Sequence, residues 1–162
     1  AQTIVFTSQG VPFIYAGEEL YRNKKGVHNT YQSPDSINQI NWDNKTQFKD
    51  VFNYYQGLIS LRKAHAAFRI PTQEMMQKHL VFIDSMAPNV VGYMLKDHVN
   101  GEKWKNILVM YNGNRKPVSV DIPEGDWNVV CHDGQINLSG IMKPKSTKFV
   151  LAPSSASIMY VD

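Results

Sequence analysis

The stretch Gln9–Glu19, QGVPFIYAGEE, constrains the fold of this 162-residue chain more than any other. An apolar run from Val11 to Ala16 contains a proline at position 12 and is bounded by Gly10 and Gly17. Glycine often ends a helix, and a parallel strand buried on both faces is apolar without alternation. The pattern therefore predicts a helix that ends at Gly10 and then a buried strand of about five residues. No parallel partner for this strand is visible upstream, so we expect its sheet to be completed by residues outside this sequence.

The composition excludes several classes of protein. The chain is 43% hydrophobic and 19% charged, as is usual for globular proteins, and its formal net charge is +3. Neither half forms a basic arm, so no nucleic-acid or membrane partner is predicted. The single cysteine, Cys131, excludes an intrachain disulfide, and no apolar run approaches the ~18 residues of a membrane span. The cellular compartment stays open, and a bacterial protein outside the cytoplasm is slightly preferred.

Three segments of the first 70 residues carry a family resemblance. The pattern Gly10-x-Pro12-x4-Gly17-x-Glu19 resembles the motif at the eighth barrel strand of the alpha-amylase family of glycoside hydrolases. The segment Asn29–Trp42, NTYQSPDSINQINW, is similar to the one that follows this strand in type I pullulanases. The run LRKAHAAFR at residues 61–69 resembles the last barrel helix of the family, with alanine at position 66 where proline is usual.

The resemblance implies a carboxyl-terminal fragment of a pullulanase-like debranching enzyme. The expected fold is an α+β fragment: the last helix-strand-helix part of a (β/α)8 barrel at residues 1–74, then an antiparallel β-sandwich at 75–162. The parent enzyme would hydrolyse α-1,6-glucosidic linkages in pullulan and related α-glucans with retention of configuration. Its nucleophile and its acid/base would come from earlier barrel strands, so the fragment is expected to be inactive. Glu18 and Glu19 are sequence neighbours that point in different directions, and Glu19 is expected to hold the loop.

A polar segment from Leu20 to Trp42 is the candidate site. Structureless loops longer than about 15 residues are usually functional or disordered, and the aromatic residues of this one favour order. Active sites of (β/α)8 barrels lie in the loops that follow the strands. By resemblance, this loop lies at the donor-side sugar subsites. The candidate substrate-binding residues are Asp35, Asn38, Tyr31 and Asn29.

Two alternatives accompany this assignment, and in the first the whole segment is only a mobile connector. The amide and carboxylate side chains could instead cap turns within the loop, as Asn and Asp often do. Trp42 is expected to pack against the following helix rather than to stack on a sugar. Asp35 is the preferred single contact.

The clearest helix lies between Asn44 and Phe68. Its apolar positions recur at helical spacing. Gly57 in its middle costs about 1 kcal/mol relative to alanine, which a close approach of another element would justify. The segment Gln73–His79 is predicted to be a linker because the amino-acid composition changes there.

Short apolar runs separated by turn residues predict an antiparallel β-sandwich in the second half. The predicted strands are Leu80–Ile83, Val90–Leu95, Ile107–Tyr111, Val118–Ile122, Trp127–His132, Lys148–Leu151 and Ala156–Val161.

Other chemistry lacks support in the sequence. Cys131 and His132 are adjacent on a predicted strand and must face opposite sides, so Cys131 is expected to be a buried structural cysteine. The histidines lack metal-ligand spacing and no phosphate-binding glycine motif occurs, so no metal or cofactor is predicted.

Two further expectations concern binding and association. The alternative function is a non-catalytic β-sandwich module that either binds α-glucans or is purely structural. In the binding alternative, Trp104 and Trp127 could form a starch-binding platform if both were exposed, although core positions are the preferred assignment. A monomer would expose an apolar patch that favours self-association. Its members would be Phe13, Ile14, Phe48, Phe52 and Ile59.

Overall fold

The computed structural model describes all 162 residues and places five helices before the first strand. The helices are α1 (Gln2–Thr7), α2 (Asp35–Asn38), α3 (Asn44–Gln47), α4 (Lys49–Ala64) and α5 (Gln73–His79). Short 3-10 turns lie at Glu18–Leu20, Ala66–Arg69 and Val99–Gly101. The expected helix near the amino end is present. The single helix expected between Asn44 and Phe68 is interrupted at Phe48, which separates α3 from α4, and α4 ends at Ala64. None of the helices is long and apolar enough to cross a membrane.

All seven predicted strands are present, and every strand pair is antiparallel. The strands are β1 (Leu80–Phe82), β2 (Val90–Leu95), β3 (Asn106–Asn112), β4 (Val118–Asp121), β5 (Asn128–His132), β6 (Gln135–Ile136), β7 (Lys148–Leu151) and β8 (Ser155–Val161). The sequence did not predict β6, because a strand of two residues carries no periodicity.

The strands form two sheets of unequal size. Six strands follow the order β1-β2-β3-β8-β5-β6, and β4 pairs only with β7. Strand β3 alternates strictly: Leu108 and Met110 face the small sheet, where they join a core with Phe149 and Leu151. The predicted sandwich is thus an uneven one, with two strands covering part of a six-stranded sheet.

The helices cover the opposite face of the large sheet. Leu61 and Phe68, from the end of α4 and the turn after it, share one core with Val109 and Ile158 of the sheet. All four side chains are fully buried. A single apolar core therefore joins residues on both sides of position 74.

The predicted linker at Gln73–His79 is wrong, because this segment is helix α5. Thr72 provides the N-cap, since its hydroxyl oxygen accepts a hydrogen bond from the backbone N–H of Met75 at 3.2 Å. Met75 and Met76 then pack against the core of the large sheet. The change in composition marks a short amphipathic helix that the linker assignment overlooked.

Helix α4 lies directly on the sheet edge at Gly57. An added Cβ at this position would lie 2.2 Å from Cγ2 of Ile136 in β6. The close approach that the sequence predicted for this glycine is therefore present, and it accounts for a residue that weakens a helix interior.

Arg62 of α4 ties the end of α1 to the core. Its guanidinium donates hydrogen bonds of 2.8, 2.8 and 2.5 Å to the carbonyl oxygens of Phe6, Ser8 and Gly10. These carbonyls belong to the carboxyl end of α1 and the residues after it, where a cation also complements the helix dipole. Burial of the guanidinium and the nearby charge of Arg69 lower the pKa of Arg62, and the three bonds satisfy this buried charge without a carboxylate partner.

Glu102 forms a buried polar link between the helices and the sheet. One carboxylate oxygen lies 2.8 Å from Nδ1 of His65, and the other accepts from the N–H of Ala67 at 3.2 Å. The N–H of Trp104 also donates to the carboxylate. The imidazole of His65 stacks on Trp104 with ring centroids 3.5 Å apart, and Trp104 stacks in turn on Tyr160 at 3.9 Å.

The buried strand predicted at Val11–Ala16 is not formed within this chain. Residues 11–15 belong to no helix or strand. The N–H groups of Val11, Phe13 and Ile14 donate no backbone hydrogen bond, and the side chain of Phe13 is 88% exposed. A strand requires a neighbour to complete its hydrogen-bond ladder, and no strand of this chain lies beside the segment.

Trp42 also departs from its expected position. Its side chain is 67% exposed, so it does not pack against the following helix as predicted. Of the expected apolar patch, Phe13, Ile14 and Ile59 are exposed, whereas Phe48 and Phe52 are half-buried.

Candidate substrate-binding loop

The loop begins at a turn around Gly17. Its φ of +95° lies in the left-handed region that glycine adopts without strain. The N–H of Gly17 donates to a carboxylate oxygen of Glu19 at 3.2 Å, while Glu18 accepts from the side-chain amide of Gln2 at 2.9 Å. Each carboxylate thus accepts a hydrogen bond from another part of the chain, and the bond to Glu19 holds the turn as expected for this residue.

The base of the loop is anchored in the interior. Leu20 is almost fully buried, and its carbonyl oxygen accepts a hydrogen bond of 2.8 Å from the side-chain amide of Asn44. Tyr21 packs edge-to-face on Phe48 with ring centroids 5.0 Å apart. The loop is therefore fixed at its start to the helical layer.

Asn38 organises the outer part of the loop. Its amide N–H groups donate to the carbonyl oxygens of Thr30 and Ser33 at 2.7 and 2.8 Å. Its amide oxygen accepts from Nζ of Lys24 at 2.6 Å. Of the four candidate residues, Asn38 is the one whose side chain forms hydrogen bonds within the loop.

The other three candidates present their side chains to solvent. Tyr31 is 77% exposed, and Asn29 and Asp35 are exposed as well. Asp35 is the first residue of α2, and its carboxylate forms no ion pair within the chain. The segment 29–38 therefore brings an aromatic face, an amide and a free carboxylate to one stretch of surface.

Arg22 and Lys24 are loop residues that the sequence analysis missed. The Arg22 guanidinium donates to the carbonyl oxygens of Ala16, at 3.0 Å, and Asn38. Its Cζ also lies 5.0 Å from the centroid of the Tyr15 ring, and Nζ of Lys24 lies 5.9 Å from the same centroid. The sequence signal available for this contact was a pair of cationic residues shortly after an aromatic residue at the end of the predicted strand.

A separate cleft contains none of the predicted residues. It has a volume of about 730 Å³ and lies between the amino end of α1, helix α4 and the loop before β8. Asp50 and Asp133 are its acidic lining residues. No cluster of His, Cys, Asp or Glu side chains in the chain could hold a metal ion.

Cys131 is a buried structural cysteine, as predicted. Its Sγ lies 3.3 Å from the hydroxyl of Tyr54 in the core on the helix side of the sheet. His132 points to the other side, where its Nδ1 lies 2.8 Å from Oγ of Ser157. Burial raises the pKa of the Cys131 thiol to about 11, so this thiol is protonated at neutral pH and is a poor nucleophile.

The two sandwich tryptophans belong to the core. Trp104 is 8% and Trp127 3% exposed. Trp127 donates a hydrogen bond of 2.7 Å from Nε1 to the carbonyl oxygen of Pro123. The alternative of an exposed starch-binding platform is therefore wrong, because neither ring has a free face.

Comparison with known proteins gives the class of the chain. Residues 76–135 match the family described as "Pullulanase, all-beta domain". A pullulanase of Bacillus subtilis is 42% identical over 132 residues, which make up 81% of this chain and 18% of the relative. The pullulanase structure from Bacillus acidopullulyticus superposes with a TM-score of 0.93 at 40% identity and covers 98% of this chain and 19% of its own. The structure of a pullulanase from Anoxybacillus complexed with maltotetraose gives a TM-score of 0.88 at 34% sequence identity. This match covers 99% of the present chain and 22% of the Anoxybacillus chain.

These relatives are debranching glycoside hydrolases, and this chain is homologous to one region of them. More particularly, residues 76–135 match the pullulanase all-beta domain, and most of the chain is similar to a segment of a pullulanase. The chain spans about a fifth of the length of the relatives it matches.

Proposed function

We propose that this chain is a portion of a pullulanase-like debranching enzyme that hydrolyses α-1,6-glucosidic linkages in pullulan and related α-glucans. The identity of 42% with a Bacillus pullulanase over most of the chain is the observation that carries the proposal. The parent enzyme retains configuration by double displacement, which requires two carboxyl groups about 5 Å apart.

Residues 1–74 would then be the last helix-strand-helix part of a (β/α)8 barrel, and residues 75–162 its β-sandwich. Three features support this assignment of the first part. Residues 11–15 are apolar and belong to no helix or strand of this chain, and the N–H groups of Val11, Phe13 and Ile14 are free of backbone partners. Helices α1 and α4 flank them in sequence. Neighbouring strands of the parent barrel would complete the ladder and cover Phe13. Without them, the exposed surface favours self-association.

Segment 29–38 would form part of the donor-side sugar subsites. It follows the proposed barrel strand, on the side where barrel enzymes carry their active sites. The free carboxylate of Asp35 can accept hydrogen bonds from sugar hydroxyls, and the exposed ring of Tyr31 can lie against the apolar face of a glucose unit. Asn29 adds an exposed amide beside them. An α-glucan is the partner that this combination of groups fits.

The chain alone should not catalyse hydrolysis. Its adjacent carboxylates, Glu18 and Glu19, are engaged in the turn at Gly17. By the family resemblance, the nucleophile and the acid/base of the parent enzyme belong to earlier barrel strands, so the chain would lack this pair.

A chimaeric enzyme tests the proposal. In it, residues 1–162 replace the homologous region of the Bacillus subtilis pullulanase, and release of reducing sugar from pullulan is measured. We expect hydrolysis within about 10-fold of the parent, because the catalytic carboxylates come from the other part of the enzyme. The isolated chain should show none.

Two results would contradict the proposal. A folded chimaera without activity on pullulan would show that the segment serves another enzyme. Activity of the isolated chain would show that it carries its own catalytic pair.

A further inference from the structure

The side chain of Arg22 bridges two parts of the chain that are distant in sequence. One of its terminal nitrogens donates to the carbonyl oxygen of Ala16 at 3.0 Å, and the other donates to that of Asn38. The first carbonyl follows the apolar segment 11–15, and the second ends α2. A single planar cation thus joins the outer loop to the end of the proposed barrel strand through its two terminal nitrogens.

The turn at Gly17 is shaped to receive this arginine. A Cβ on Gly17 would lie 2.8 Å from Cδ and 2.9 Å from Cβ of Arg22, and the φ of +95° disfavours any side chain there. The Tyr15 ring covers the guanidinium from one side, at 5.0 Å. The missing side chain at Gly17 therefore leaves a space that Arg22 fills, and the Tyr15 ring borders this space.

Lys24 completes the arrangement through Asn38. Its Nζ donates to the amide oxygen of Asn38 at 2.6 Å, and both amide N–H groups of Asn38 point back to the carbonyl oxygens of Thr30 and Ser33. The backbone and the side chain of Asn38 are thus each held by one cation. We name Tyr15, Gly17, Arg22, Lys24 and Asn38 the Arg22 clamp.

We propose that Arg22, Lys24 and Asn38 are positioning residues that hold segment 29–38 so that Asp35 and Tyr31 meet the α-glucan. This inference rests on the proposed function and deepens it. Asn38 acts through the loop and does not touch the sugar, because its amide donors are already used within segment 29–38. Arg22 acts in the same way, since its two terminal nitrogens bind backbone carbonyls.

The first test measures loop order on the 162-residue chain itself. Chymotrypsin cleavage after Tyr31 reports local opening of the segment, because a protease needs several residues in extended form. The variant Arg22→Ala should be cleaved on the order of 10-fold faster than the unaltered chain. Arg115→Ala is the matched control, since Arg115 is exposed and lies outside the loop. Equal cleavage rates for both variants would overturn the clamp.

The second test measures kinetics in the chimaeric enzyme. We expect Arg22→Ala to raise KM for pullulan about 10-fold and to change kcat less than about threefold, as loss of uniform binding does. Arg115→Ala should leave both unchanged. A purely structural role would lower thermal stability and leave KM as it was, which would contradict the proposal.

A double-mutant cycle separates positioning from sugar contact at Asn38. If Asn38 acts through its bond to Lys24, the loss in kcat/KM of Lys24→Met with Asn38→Ala should equal that of Asn38→Ala alone. Independent, multiplied losses would show a direct contact of Asn38 with the sugar and overturn this assignment.

The two proposals fail in different ways. An unaltered chimaera without pullulan hydrolysis overturns the proposed function, whatever chymotrypsin shows. An active chimaera whose KM is insensitive to Arg22→Ala overturns the clamp and leaves the proposed function standing.

Discussion

Replacing Glu102 with alanine lowers the free energy of unfolding by about 3–5 kcal/mol, because several buried donors lose their acceptor and each one left unpaired costs about 1–3 kcal/mol. The carboxylate is buried and accepts from His65, Ala67 and Trp104. For a chain of this length, the loss corresponds to a fall in Tm of about 10 °C. Urea denaturation and thermal unfolding of the 162-residue chain measure it.

The pH dependence of this stability has a definite sign. Burial alone would raise the pKa of Glu102, but hydrogen bonds from His65, Ala67 and Trp104 outweigh it and lower the pKa below its usual value of 4.5. The unfolded state therefore binds the proton more readily, so the contribution is complete above pH ~4.5 and is lost as the pH falls through the folded-state pKa. The stability difference between the unaltered chain and Glu102→Gln should shrink across that interval.

Glu124→Gln is the matched control, because Glu124 is an exposed glutamate without an ion-pair partner. It should unfold like the unaltered chain at every pH. A difference between Glu102→Gln and the unaltered chain that stays constant below pH 4 would contradict the assigned pKa direction. A loss below about 1 kcal/mol for Glu102→Ala would show that the pair contributes little, as exposed pairs do.

Removing the carboxylate of Asp35 should reduce kcat/KM of the chimaeric enzyme on pullulan by about 10- to 100-fold. Hydrogen bonds to a charged group contribute about 1.5–3 kcal/mol, and each 1.4 kcal/mol corresponds to a factor of 10. Because Asp35 is exposed and has no ion-pair partner within the chain, Asp35→Ala should leave the Tm nearly unchanged. This separates loss of binding from loss of folding.

Asp43→Ala controls for the loss of a loop carboxylate, since Asp43 is exposed near the other end of the same segment. It should retain full activity on pullulan. Asp35→Asn keeps an acceptor without the charge, so its kcat/KM should lie between those of Asp35→Ala and the unaltered enzyme. Unchanged kinetics in Asp35→Ala would remove Asp35 from the sugar subsites.

The second half of the fold was predictable because its signals are local. Short apolar runs such as that of β3 and the turn residues between strands indicate which segments are extended, whatever they pair with. Gly57 was informative in the same way, since a glycine in a helix interior indicated a close neighbour, here Ile136. Helix α5 was missed because its seven residues are too few to show a period against a general change in composition.

The first half was harder to predict because part of it depends on partners. The apolar run at Val11–Ala16 has the composition of a buried strand, yet burial requires neighbours that this chain does not supply. The exposure of the Trp42 side chain was not predicted, because its residue type favoured packing against the following helix.

The candidate loop shows the same division. Residue types suited to sugar binding could be named from the sequence. Some of these side chains form hydrogen bonds within the loop and are not free to bind a sugar. Such bonds, for example the one between Lys24 and Asn38, depend on the folded backbone and could not be predicted from the sequence.

Amide hydrogen exchange of residues 11–15 tests the central claim most directly. In the isolated chain these amides should exchange rapidly, because the N–H groups of Val11, Phe13 and Ile14 have no backbone partner. In the chimaeric enzyme the same amides should be protected by at least about 100-fold, as expected for a strand paired inside a closed barrel. Equally rapid exchange in a folded, active chimaera would show that this segment is not a barrel strand.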